Sequence, residues 1–397
     1  MSIEMGIGFS FQADVFAAGH EAAQQAISNL AGRRPDVVLV FSSIRFADPR
    51  MLKAVRLATG GAPLVGCTDA GGIVTAGPKR RSVTVIGLAL QNGACLTVVE
   101  RQISHRPRAA GEHLTHDLLR QAPKDPRCML VFPDGLTVSG SEILAGIEKR
   151  IPRKVALAGA SAGDDFFFQK TFQFFDDEVL TDSLPGVLLC GDIKVGIGVR
   201  HGWVPVGRPR RVTRSIGHVV YQLDHRPAVS IYEDFLGLKR QELMEDTLAS
   251  ITLGYPLGTE VPGQSEYLLR DAIRVGRGGS LICTGDVAQG SQVRLMIGGY
   301  ESALEAAQQA AYDARDHLNG ARLKGALVFC SVARQKMLGS EFQGEIDVIR
   351  DALGGESVRL GGFYSYGEVA PASGTRRKTK PSNPLYHNEA VVVVAFG

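Results

Sequence analysis

Net charge is nearly absent from this sequence: 44 Lys+Arg against 41 Asp+Glu leave a formal +3. That is too weak a field for a nucleic-acid binder. No apolar run approaches the roughly 20 residues that cross a bilayer, and Met1 to Phe11 lacks the basic and apolar segments of a signal peptide. We therefore expect a cytoplasmic protein that inserts into no membrane. The six cysteines (Cys67, Cys95, Cys128, Cys190, Cys283, Cys330) include no Cys-x-x-Cys pair. The sequence therefore encodes no disulfide framework, zinc site or covalent haem attachment, and the thiols fit reduced, buried side chains. There is no Walker A pattern, and Gly66 to Gly72 does not match Gly-x-Gly-x-x-Gly.

What the sequence has is glycine, 47 among 397 residues, against an average share of about 7%. With 44% hydrophobic and 21% charged residues, the composition is globular, with room for two or three domains. The glycines mark an internal repeat. In the first copy an Ala-rich helical stretch (His20 to Leu30) precedes the apolar run Val37 to Phe41 and a helix-period stretch (Pro49 to Ala58). Leu64-Val65-Gly66, a turn through Gly71 and Gly72, and the run Val83 to Leu90 follow. The second copy runs through Gly111 to Gln121, Met129 to Phe132, Ser141 to Arg150, Leu157-Ala158-Gly159, a turn at Gly163, and Val187 to Leu189. The third runs through Ser302 to Leu318, Ala326 to Phe329, Glu341 to Leu353, Leu360-Gly361-Gly362, a turn at Gly367, and Val391 to Phe396.

Short apolar runs alternating with helical patterns predict α/β units whose strands are buried on both faces. Each closing run follows its glycine turn without a helix between, so it is expected to pair with its predecessor as an antiparallel hairpin. The fold class is then α/β: internally repeated α/β units with mixed parallel/antiparallel sheets, in two halves. Ile193 to Gln292, which includes the basic run Arg208 to Arg214, lacks the repeat and reads as an insertion or linking subdomain. Pro227 suits a first helical turn, and the halves divide nearby, into 1–222 and 223–397. Ala372 to Pro384, with Arg376, Arg377, Lys378 and Lys380, has no apolar periodicity and is expected to be a mobile loop.

Three-fold recurrence of the glycine turn favours architecture over chemistry, so the copy that departs from the pattern is the candidate site. Glu368 stands where the first copy has Gly72, and Tyr364 and Tyr366 replace Thr68 and Ala70. Beside Gly362 and Gly367, Arg334 offers a planar fork for a carboxylate and Glu368 a partner for an amino or guanidino group, which together suit an amino acid. The same two charges are open to pairing with each other. His387-Asn388, aligned with Arg81-Ser82 and Leu184-Pro185, either lines this pocket or only hydrogen-bonds the turn. Cys330 is a reactive thiol if Arg334 lowers its pKa, which would make a thiol-dependent enzyme, and is otherwise inert. Gly159-Ala160-Ser161-Ala162-Gly163 matches Gly-x-Ser-x-Gly but leads into strand-like Phe166 to Phe175, where a nucleophile elbow needs a helix. A non-covalent haem would need an axial histidine, and His387, His201, His218 and His225 are not separated by spacing.

Several of these motifs occur in one order: Phe329-Cys330-Ser331-Val332-Ala333-Arg334, Glu345-Ile346, Leu360-Gly361-Gly362-Phe363-Tyr364-Ser365-Tyr366-Gly367-Glu368-Val369 and His387-Asn388. Together they resemble the C-terminal FIST domain. Leu64 to Gly72 resembles the matching turn of the N-terminal FIST domain, and Val212-Thr213-Arg214 with Val220 to Ala228 resembles the bridge between them. One departure is Glu389-Ala390, where a threonine is common. The resemblance implies a cytoplasmic, non-enzymatic sensor that binds a small ligand, an amino acid for some members, and signals to a separate protein. It also implies an alternative, a haem protein that senses nitric oxide and acts on a histidine kinase.

Overall fold

The structure is a computed structural model and describes residues 3–237, 242–243, 251–262, 264, 266–372 and 384–397. The basic loop centred on Arg376 to Lys380 lies outside the described residues. The first unit runs β1 (Ile3–Ser10), α1 (Val15–Ser28), β2 (Val37–Ser42), α2 (Pro49–Ala58), β3 (Leu64–Thr68), β4 (Gly72–Val74), β5 (Gly77–Lys79) and β6 (Val83–Leu90). The second repeats that order: β7 (Ala94–Arg101), α3 (Pro107–Gln121), β8 (Pro126–Val131), α4 (Gly140–Glu148), β9 (Ala156–Ala160), β10 (Gln173–Phe175), β11 (Glu178–Leu180) and β12 (Ser183–Cys190). The third opens with β13 (Val195–Arg200) and is then interrupted by β14 (Val204–Ile216), β15 (Val219–Leu223), β16 (Arg226–Pro227), α5 (Ser230–Leu236), β17 (Leu257–Glu260), β18 (Tyr267–Arg270), β19 (Ala272–Val275), β20 (Leu281–Cys283) and β21 (Gln292–Ile297). It resumes with α6 (Tyr300–Asp316), β22 (Gly325–Ser331), α7 (Val332–Leu338), α8 (Gln343–Leu353), β23 (Leu360–Ser365), β24 (Glu368–Pro371), β25 (Pro384–His387) and β26 (Val391–Phe396). Sequence signals set some bounds directly: Pro49 opens α2, and the Asp48 carboxylate caps it by accepting from the Arg50 N–H at 2.8 Å.

Among the described residues the strands form four sheets. Three have the same six-strand plan, β1-β6-β2-β3-β10-β11, β7-β12-β8-β9-β24-β25 and β13-β26-β22-β23-β4-β5. The short hairpin after each glycine turn therefore leaves its own unit: that of the first joins the third, that of the second joins the first, and that of the third joins the second. This exchange corrects the expected hairpin. Each closing strand lies antiparallel to the unit's central strand, as in Val37↔Leu88, while its predecessor runs parallel on the other side, as in Val38↔Leu64. A hairpin from another unit occupies the predecessor's free side, as β10 does on β3, and the closing strand lies on the other side of the central strand, between it and the unit's first strand.

The three sheets turn one face to a common core, where Phe41, Phe132 and Phe329, at one position of the repeat, meet edge to face with centroids 5.3, 6.4 and 6.0 Å apart. The helix pairs α1/α2, α3/α4 and α6/α8 cover the other faces, which is why the central strands are apolar throughout. Gly66, Gly159 and Gly362 serve this architecture. A Cβ on any of them would lie 1.8 to 2.0 Å from the carbonyl oxygen of Val40, Val131 or Val328 on the parallel neighbour.

The inserted elements form the fourth sheet, β18-β17-β21-β14-β15-β20-β19, with its own core around Val212, Leu223, Tyr232 and Leu295. It begins after β13, which belongs to the third unit's sheet, so the expected insertion at Ile193 starts too early. A division at 222 falls inside β15; the joints between sheets lie at 201–203 and 298–299.

Candidate functional site

Strand β22 ends in Ser331, whose hydroxyl accepts from the Ala333 N–H at 3.3 Å and starts α7, placing Arg334 one turn into the helix. Arg334 is fully buried. Its Nε donates to Glu345 Oε1 at 2.6 Å, Nη2 to the Ala303 carbonyl at 2.8 Å and Nη1 to the His201 carbonyl. The expected carboxylate clamp is thus already occupied by the protein, and its partner is Glu345 on α8, not Glu368. The Cys330 thiol donates to the other oxygen of Glu345 at 2.9 Å. Burial, then the Glu345 charge, pushes this thiol well above the usual range, the opposite of the activation Arg334 was expected to supply.

Glu368, also fully buried, accepts from the Ser365 hydroxyl at 2.6 Å and the Ala390 N–H at 3.3 Å, yet burial still raises its pKa well above the ordinary value. Tyr364 sits beside Cys330 across β22 and β23, with its hydroxyl unbonded among the described residues. Tyr366 is drawn away with the exchanged hairpin: it stacks on Phe168 at 4.6 Å, donates to Asp164 and accepts from the Phe166 N–H. Gly367 makes room for Tyr386, whose hydroxyl would be 2.2 Å from a Cβ there. His387 sets Nε2 against the Pro371 carbonyl at 3.2 Å, across the β24/β25 hairpin. Burial lowers its pKa to about 4, so it is neutral. Its partner Glu368 matches Gly72, which pairs with Lys79, so His387 corresponds to Lys79 and not to Arg81 as the sequence alignment had it.

The residue that corresponds to Arg81 and Asp182 is Glu389. All three adopt φ near +50 to +60° just before the closing strand, with Glu389 at 59°. Glu389 is fully buried, and burial, followed by the charge of Asp271 and a hydrogen bond to it, raises its pKa well above the ordinary range. Asp271 follows β18 and brings the inserted sheet into the site; burial raises its pKa too. Beside it, Arg270 donates through Nη1 to the Tyr386 carbonyl at 3.0 Å and to Asn388 Oδ1 at 3.3 Å. The centre is therefore a seam between the inserted sheet and the third unit, where Glu368, Glu389 and Asp271 collect near Arg334, whose three nitrogens are all engaged, and Arg270, whose Nε and Nη1 are. A surface cleft of about 470 Å³ between β1, α1 and residues 356–359 contains none of them.

These residues do not fit a haem centre, which needs an imidazole or thiolate lone pair. His201 Nδ1 accepts from the Trp203 N–H at 2.9 Å and its Nε2 faces Glu266 at 3.6 Å. Cys330 donates to Glu345, and His218 and His225 are exposed on the inserted sheet.

A family model for the FIST N domain matches residues 36–226, and one for the FIST C domain matches residues 228–371. An uncharacterised protein of Mycobacterium tuberculosis H37Rv is 27% identical over 378 residues, covering 94% of this chain and 96% of the relative. One from Mycobacterium bovis is 25% identical over 381 residues, covering 94% and 95%. A crystal structure of a chorismatase aligns over 100% of this chain and 99% of its own, with 9% identity and a TM-score of 0.34, and at that score it bears on nothing this chain does.

Proposed function

Because the chain belongs to the FIST family, whose domains are signal-transduction sensors, we propose that it is a non-enzymatic cytoplasmic sensor. In this proposal it binds a small amine, such as an amino acid, at the seam and passes occupancy to a separate signalling protein. The observation that carries this reading is Glu389: a fully buried carboxyl whose facing groups are two further buried acids, Asp271 and Glu368. Burial keeps these acids protonated, and a cation placed among them favours the ionised form, while the two neighbouring arginines are held by Glu345, Asn388 and backbone carbonyls. An ammonium group supplies the missing charge and enough N–H donors to serve all three acids.

The test uses Trp203, the protein's one tryptophan, which is buried in the same seam 5.7 Å from the Arg334 guanidinium. Amino acids and simple amines are titrated while Trp203 fluorescence and Tm are followed. A ligand is expected to shift both, with stabilisation growing as RT ln(1 + [L]/Kd), and Glu389→Gln is expected to weaken it about tenfold or more, the scale of a charged hydrogen bond. If no amine moves either signal, or Glu389→Gln binds as the wild type does, the proposal fails.

A further inference from the structure

The first strand of each unit, β1, β7 or β13, lies at the outer edge of its sheet, and two of these edges are closed from within the chain. The Asn29 amide, just past α1, donates to the Ile7 carbonyl of β1 at 3.0 Å, and the Phe9 N–H donates to Gln25 Oε1 at 3.0 Å. His317, just past α6, donates through Nδ1 to the Ile197 carbonyl of β13 at 2.7 Å. The second unit differs. Gln121, which ends α3, turns its amide back onto the Asp117 carbonyl of its own helix at 3.0 Å. Every residue of β7 from Ala94 to Glu100 is half-buried, where β1 and β13 are mostly buried. The ladder shows which groups point outward. The Phe132 and Asp134 N–H groups donate to the Pro185 and Ser183 carbonyls, so odd-numbered residues of β12 face β8 and even-numbered ones face β7. Their partners on β7 are Ala94, Leu96, Val98 and Glu100. The N–H and C=O groups of Cys95, Thr97 and Val99 therefore point away from the sheet, with no hydrogen-bond partner among the described residues. From Ala94 to Val99 the strand has no proline, no charge and no bulge against β12, the usual guards of an open edge.

We propose that β7 is the docking edge for a second copy of this chain, the two strands pairing antiparallel across a two-fold axis at Thr97. Free N–H and C=O groups at strand spacing are met by another strand, and the chain's own β7 is a complementary one. With the axis at Thr97, that residue meets its own copy, Leu96 meets Val98 and Cys95 meets Val99, pairs of the kind that stabilise antiparallel ladders. Glu100 falls opposite Ala94 and Arg101 passes the end of the ladder, so no like charges meet. An axis at Val98 instead sets Glu100 against Leu96 and Arg101 against Cys95, which the apolar pattern disfavours. The contact uses the same edge on both copies, so it closes at two chains and does not grow into a fibre. None of the acids at the seam belongs to it, and it stands whether or not an amine binds there.

A ladder of this length is a small interface of the weak class, so sedimentation velocity of the full chain is followed from about 2 to about 200 µM. The wild type is expected to pass from monomer to dimer over that range. Over the same range the Cys95, Thr97 and Val99 amides are expected to gain protection from hydrogen exchange, while those of Leu96 and Val98, already bonded to β12, keep theirs. Thr97 is half-buried and lies at the proposed axis, so Thr97→Lys and Thr97→Glu each set like charges against each other. Each is expected to weaken self-association about tenfold or more, and a mixture of the two is expected to restore it. The restored pairing also shows that both variants fold. The proposal is overturned if the wild type stays monomeric at the highest concentration, if a dimer forms without protecting those three amides, if either variant alone associates as the wild type does, or if the mixture fails to pair.

Discussion

Glu389 keeps its proton where an exposed glutamate has lost it, because burial and the facing Asp271 oppose its charge. Its folded pKa stands above the ordinary 4.5, so the stability it contributes is complete below that value and lost as pH rises through the folded one. The charged groups facing it are Asp271, Glu368 and Arg334. Glu389→Gln cannot ionise, so without ligand it is expected to be more stable than wild type near about pH 8 and to lose the advantage towards about pH 4.5. Urea denaturation across that range measures this, and a variant less stable at the upper end contradicts the assignment. His201 acts with the opposite sign. Burial pushes its pKa down to about 3 from 6.5, so the stability tied to its neutral form is present above 6.5 and lost as pH falls. His201→Asn should flatten the acid side of the same curve. At this scale the sequence was partly legible. Cys330, Tyr364, Glu368 and Arg334 do share one place, because they depart from a repeated motif. Asp271 has no counterpart in the repeat, and Glu345 belongs to a helix whose apolar period hides its one buried acid.

Each phenylalanine of the central trio closes the apolar run of its unit's central strand, so it is anchored by its own sheet while touching the other two. Removing one ring leaves a cavity bounded by three rigid sheets that cannot collapse. Phe329→Ala is therefore expected to cost about 3–5 kcal/mol, and Phe41→Ala a similar amount. The rings touch at 6.4 Å, so the double variant is expected to depart from the sum by about 0.5 kcal/mol or more. Strict additivity would mean that the trio does not act as one core. Other elements were legible in full: the closing runs Val83–Leu90 and Val391–Phe396 and the helix Pro49–Ala58 have the bounds that hydropathy and proline imply. The leading strands were not, because Gly6 and Gly8 interrupt the apolar pattern of β1. Their role is spatial: Cβ atoms there would lie 2.1 and 2.0 Å from the carbonyl oxygens of Ala26 and Ala22 on α1. The hairpin exchange was also invisible, since β4 and β10 have three residues each and pair outside their own unit.

The three repeated units share one core, whereas the inserted sheet has a core of its own and is joined to the third unit by two short links. It rests on that unit through Trp203 with Leu269 and Met296, and through Arg270, which reaches the Leu269, Tyr386 and Asp286 carbonyls and Asn388. Asp271, next in the chain, is one of the three acids. A ligand among those acids therefore touches both bodies at once and changes how firmly they are held together, which makes the inserted sheet the element able to carry occupancy to a partner. Arg270→Ala removes the polar half of this attachment and leaves both cores intact. Charged hydrogen bonds of this kind are worth about 1.5–3 kcal/mol, so amide exchange in β18, β19 and β20 is expected to speed up about tenfold to a hundredfold. Exchange in β22 and β26, deep in the shared core, should stay unchanged, and Trp203 emission should shift to the red as the seam admits water. Unchanged exchange in the inserted sheet would mean that Arg270 does not hold it. An equal rise in β22 and β26 would mean that the inserted sheet and the three units open as one body, leaving no separate element through which binding at the seam could be relayed.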